Sequence, residues 1–185
     1  MNPQAYQRLL KFSDQWLRLG LLTEDELCAL GQEYEAGKDK NEEHYRYRLF
    51  RRYLSSHRPL PPQMAEALYE LGREDPDPAM GGAMMRDIVG LAECPAGVLE
   101  KASASGEKHL VRAARQRQLL AALGFGVTEE LFARCLESRD EAIQRALLKS
   151  PELTRKQLEQ LAEAGANRAV RNMATERLRG RRYAA

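Results

Sequence analysis

The chain has 185 residues, 43% apolar and 30% charged, with 29 basic residues against 27 acidic ones. Enough apolar surface is present to bury a core, which excludes a disordered tail. A net charge of +2 lacks the basic excess of a chain that lives on nucleic acid alone. With one Trp, four Phe and seven Tyr, most of the core must be Leu and Ala, both strong helix formers. No run of Val, Ile and Thr alternates with polar residues, so a substantial sheet is excluded.

Asn2 and Pro3 are placed as cap and first residue of a helix. Tyr6, Leu9, Leu10, Trp16 and Leu17 recur at helical spacing, predicting one helix that ends at Gly20. Thr23-Glu24-Asp25-Glu26 reads as a capping box, and Leu27, Leu30 and Tyr34 give the second helix an apolar face that closes at Gly37. Gly37-Lys38-Asp39-Lys40-Asn41 is polar and is the expected internal boundary. A third helix is expected from about Glu42 to Ser56, with Pro59, Pro61 and Pro62 separating it from a fourth that carries Met64, Ala67, Leu68 and Leu71. Asp77 and Pro78 then have the pattern of cap and first position for a fifth. Gly81 and Gly82 in that helix cost roughly 1 kcal/mol each against Ala; they either permit close helix packing or mark a frayed first turn.

From Cys94 onward the chain is self-similar. Helices open after Pro95, Val127-Thr128 and Leu153-Thr154, and each is followed by a second helix with a related pair: Val111-Arg112, Ile143-Gln144 and Val170-Arg171. The pairs lie 32 and 27 residues apart, in the range that stacked helical units produce. The run Leu147-Leu148-Lys149-Ser150-Pro151-Glu152-Leu153-Thr154, with Leu158, Leu161, Ala162 and then Val170-Arg171-Asn172-Met173-Ala174, resembles the bacterial leucine-rich-repeat-variant and HEAT-like helical repeats. The likeness spans about 25 residues near the C-terminus, weakens over Leu91–Leu148, where Gly126 replaces Pro and Ile143-Gln144 replaces Val-Arg, and is absent before residue 58. It implies an all-α fold, an irregular α-solenoid of stacked helical hairpins, of the kind that serves as a binding scaffold; some HEAT-like relatives act on DNA. The expected organisation is an N-terminal helical hairpin over residues 1–36, packed on or capping a repeat region over 42–180, and a basic tail over 181–185.

Cys28, Cys94 and Cys135 are odd in number and far apart, with neither metal-site spacing nor a disulfide framework. They read as small buried hydrophobes. His44, His57 and His109 form no ligand pair and read as surface residues. Gly124-Phe125-Gly126 lacks the Lys and third Gly of phosphate-binding loops. Neither a metal nor a cofactor is expected, and the chain reads as a non-enzyme. The start MNPQAYQRLL lacks the pattern of a secretion signal, and no apolar run reaches about 18 residues, so a cytoplasmic protein without a membrane partner is expected.

The strongest candidate for binding is the third helix. At 100° per residue, Leu49, Phe50, Tyr53, Leu54 and Tyr47 gather on one arc, while His44, Arg48, Arg51 and Arg52 gather opposite with Tyr45 beside them. A basic face with an aromatic neighbour grips phosphate and stacks on bases or peptide side chains; a solvated face balanced by Glu42 and Glu43 has the same pattern. Arg46 projects from the apolar arc, and either snorkels or meets a buried acid. Arg112 and Arg115, with Lys108 and Arg117, mark one repeat helix, and Arg171 holds the place of Arg112 in its own repeat. Arg168, Arg177, Arg179, Arg181 and Arg182 enrich the last helix and tail. Two functions follow: a protein-interaction scaffold with a protein partner, or a nucleic-acid-binding module using Tyr45, Arg48, Arg51, Arg52, Arg112, Arg115 and Arg171. A small-molecule substrate is not expected.

Overall fold

A computed structural model describes the backbone of residues 2–182 and side chains through Gly180. These residues form twelve α-helices and one 3-10 turn, and no strand among them interrupts the all-α fold. The expected tail lies outside the described residues beyond Arg182, and the last helix itself runs to that position. The chain divides into two compact units, Met1–Ala113 and Ala114–Ala185.

The first unit begins with α1 (Pro3–Leu9) and α2 (Asp14–Arg18), where the sequence pattern predicts a single helix. The break has a packing reason. On one continuous helix Leu10 and Phe12 would lie roughly 200° apart, yet both are buried. Lys11 takes a positive φ of 56°, and Ser13 restarts the helix as its N-cap residue. Trp16 then meets Phe12 edge to face, with ring centroids 5.0 Å apart, in the interior.

α3 (Glu24–Ala36) opens with the expected capping box, in which Glu26 N–H donates to Thr23 Oγ1 at 3.2 Å and Thr23 N–H donates to Glu26 Oε2 at 3.0 Å. α1 packs on α3, where Tyr6 lies so close to Gly31 that a Cβ there would enter its ring. The polar stretch after α3 is held in place: Lys40 donates to the Tyr34 and Glu35 carbonyls, and Tyr34 donates back to Lys40 O at 3.1 Å. It joins α3 to α4 (Glu42–Ser56) within one unit, and the division between the units falls instead inside α8 (Lys108–Ala122).

α5 (Pro62–Arg73) and α6 (Pro78–Val89) form a tight pair. Asp77 caps α6 by accepting from Met80 N–H at 2.7 Å, as its place before Pro78 predicts. Gly72 and Gly81 face each other across this crossing, and a Cβ on Gly81 would collide with the Gly72 carbonyl oxygen. Of the two readings of the α6 glycines, close packing holds at Gly81. α7 (Ala96–Ala104) follows Pro95 and buries Val98 and Ala102.

The second unit contains the C-terminal part of α8, a 3-10 turn (Leu123–Phe125), α9 (Glu129–Glu137), α10 (Glu141–Leu147), α11 (Arg155–Ala164) and α12 (Arg168–Arg182). Its core comprises Leu119, Phe132, Cys135, Ile143, Leu147, Leu158, Leu161, Val170 and Ala174 among others. Thr128 and Thr154 cap α9 and α11, accepting from Leu131 and Gln157 N–H at 3.1 and 3.2 Å. Asp140 and Asn167, 27 residues apart, accept from Ile143 and Val170 N–H at the starts of α10 and α12. The periodicity in the sequence is thus a periodicity of helix starts.

Candidate functional site

Each Arg on the outer face of α4 has a carboxylate partner within the first unit. Arg48 holds Glu33 with both terminal nitrogens, at 2.9 and 2.7 Å. Arg52 donates to Glu26 at 2.6 Å, and Arg51 to Asp87 at 2.9 Å. Glu26 and Glu33 belong to α3 and Asp87 to α6. The basic face of α4 therefore braces the two helices on either side of it. Thr23 N–H above all, and Arg52 in addition, hold the Glu26 carboxyl below its ordinary range.

The aromatic residues of α4 have structural roles as well. Tyr45, expected beside the basic face, is buried. The Arg48 guanidinium lies 4.9 Å from its ring centroid, and its hydroxyl donates to Asp39 O at 3.3 Å. Burial pushes the Tyr45 phenol up, and its ring has no open face on which a base could stack. Tyr47 donates to the Asp87 carboxylate at 3.0 Å, so Asp87 serves Tyr47 and Arg51 together. Arg46 meets a buried acid: Nε and Nη2 donate to Asp75 at 3.0 and 3.1 Å, and Nη1 to Leu10 O at 2.8 Å.

His44 pairs with Asp39 at 2.9 Å, His109 lies 3.3 Å from Glu107, and His57 stacks on Tyr53. Cys135 is buried, which pushes its thiol up, while Cys28 and Cys94 are half-buried. Glu93, between α6 and α7, has one buried carboxylate oxygen without a hydrogen-bond partner. No group of three or more His, Cys, Asp and Glu among the described residues is arranged to hold a metal ion.

Arg112 and Arg115 are exposed on α8. Arg171 donates to the carbonyl of Gly165, the residue that ends α11, at 2.9 Å. Gln144, its counterpart 27 residues earlier, donates to the Cys135 and Leu136 carbonyls at the end of α9, at 3.3 and 3.0 Å. Gln144 and Arg171 thus each place a side-chain donor on a carbonyl at the C-terminal end of the preceding helix. Gln144 also accepts from Ala166 N–H at 2.7 Å, linking α10 to the turn between α11 and α12.

Two surface features lie outside these candidates. In the first unit, Tyr69, Met85, Ala104 and Leu110 line a depression of about 550 Å³, with Lys101 and Arg73 both holding Glu70 at its edge. In the second, Phe125 is 95% exposed. Its only cue in the sequence is an aromatic residue between two glycines.

No helix among the described residues is long and apolar enough to cross a membrane. No protein-family model, curated protein or solved structure matches the chain.

Proposed function

We propose that the chain is a non-catalytic protein-interaction scaffold, an irregular stack of helical hairpins whose binding energy comes from protein side-chain contacts. The observation that carries this reading is the neutralised face of α4. Arg48, Arg51 and Arg52 each spend their charge on a carboxylate of α3 or α6. Phosphate binding gains most of its free energy from cations that displace condensed counterions, and a guanidinium already held by an acid contributes little to that. The evenly spaced caps and carbonyl-bonded Gln144 and Arg171 support the hairpin-stack part of the reading, since repeat units that lean on neighbours need regular joints.

Fluorescence anisotropy with labelled single- and double-stranded oligonucleotides, at two salt concentrations, tests the reading. The expected result is no micromolar binding at either. Tight association that weakens steeply with salt and is lost in the triple variant Arg48→Gln, Arg51→Gln, Arg52→Gln would establish nucleic-acid binding instead.

A further inference from the structure

Phe125 is an aromatic residue placed almost wholly in water on a well-anchored turn, with the Glu152 carboxylate against that turn. We infer that it is the anchor of a protein interface, a knob that enters an apolar socket whose rim carries Lys or Arg. This rests on the reading of the chain as a protein-binding module and names the kind of partner.

The turn is held at both ends. Leu123 and Val127 pack against the core of the second unit, and Val127 N–H donates to Glu152 Oε2 at 3.2 Å. Gly126 has φ 111° and ψ 169°, a region open essentially to glycine alone. Anchors on each side and a glycine-only joint turn the intervening residue outward, and a Cβ on Gly124 would meet nothing within 4 Å. Much of the ordering cost of binding is thereby met during folding. Aromatic side chains presented on fixed backbone are favoured interface anchors, because two torsions bring a large apolar area into a pocket. Lone exposed apolar residues are common on protein surfaces; the anchored turn and the charge around it set this one apart.

The charge selects the partner. Glu152 lies against the turn, 3.4 Å from the position of a Cβ on Gly126. Glu129 and Glu130 open the helix that follows. None of the three forms an ion pair among the described residues, in contrast to Glu26, Glu33 and Asp87 of the first unit. An aromatic residue meant for a lipid surface is accompanied by Lys and Arg, whereas the Glu152 carboxylate against this turn would be repelled by anionic headgroups. A protein socket with a basic rim fits both the knob and its border.

The test is site-specific photocrosslinking of the full chain carrying Phe125→p-benzoylphenylalanine in its native cells, with the crosslinked residue mapped by mass spectrometry. The expected product is a different protein crosslinked inside an apolar depression bordered by Lys or Arg. Phe125→Asp and Glu130→Lys should each weaken the purified complex at least tenfold, Phe125→Leu less, with the thermal midpoint of the chain unchanged. Crosslinking to lipid, to a second copy or to a flat polar surface overturns the inference, as does no crosslink at all. If a partner defined by co-purification survives Phe125→Asp, the knob fails while the scaffold reading stands. If no protein partner is found and oligonucleotides bind with steep salt dependence, the scaffold reading fails as well.

Discussion

Arg46 of α4 and Asp75, between α5 and α6, form a two-pronged ion pair with 1% of either side chain exposed. The third guanidinium nitrogen donates to Leu10 O, and Asp75 also accepts from Asp77 N–H at 2.8 Å. One buried contact thus joins the N-terminal segment, α4 and the turn that starts α6. Removing one partner leaves an uncompensated buried charge, which costs about 3–5 kcal/mol. Arg46→Met and Asp75→Leu should each destabilise the chain by that order in urea unfolding. The double variant should cost less than the sum of the singles, because no charge is then stranded.

Gly81 and Gly180 are both helical glycines, and replacing them by Ala should have opposite effects. At Gly81 the new methyl meets the Gly72 carbonyl oxygen, so α5 and α6 must separate. Overpacking of this kind costs about 1–3 kcal/mol. At Gly180 a Cβ meets nothing within 4 Å, and Gly180→Ala should stabilise the chain by up to about 1 kcal/mol through helix propensity. Thermal melts of the two variants beside the parent check both signs.

The three α4 ion pairs are more than half exposed on the Arg side. Exposed pairs contribute about 0.2–1 kcal/mol each. Replacing Arg48, Arg51 and Arg52 together with Gln should therefore lower stability by about 1–2 kcal/mol, more at low salt than at high. Circular dichroism should show the helix content retained. A loss of cooperative unfolding would give this face a larger role than its exposure allows.

The Asp39–His44 pair makes a pH prediction. The hydrogen bond to Asp39 raises the His44 imidazole, and His44 together with Asn41 N–H lowers the Asp39 carboxyl. A raised His stabilises the fold fully below its unfolded value near 6.5, and that contribution is lost as pH rises through the folded one. A lowered Asp contributes above its unfolded value near 3.9 and loses the effect as pH falls through the folded one. The pair is therefore at full strength between about pH 4 and 6.5. An NMR titration should place the His44 midpoint above 6.5, and Asp39→Asn should bring it back toward that value.

The local helix signals were legible without tertiary information. Thr23, Asp77, Thr128 and Thr154 all cap helices where their spacing predicts, since each cap needs only a backbone N–H three residues away. The break at Lys11 was less visible, because it is imposed by the need to bury both Leu10 and Phe12. The sequence marks Arg171 as a binding candidate but carries no sign of its bond to Gly165 O, which depends on how α12 packs against the end of α11.

The amino-acid sequence by itself determined that this chain is helical, where most helices start and which faces are apolar, because these depend on propensity, capping and period within a few residues. The tertiary structure decided what the charged and aromatic residues do. Glu33, Glu26 and Asp87 lie 15, 26 and 36 residues from the arginines they hold, and Asp75 lies 29 from Arg46. Over such separations the pairing is fixed by how helices pack. The same packing anchors Leu123 and Val127 and leaves Phe125, between them in sequence, in the solvent.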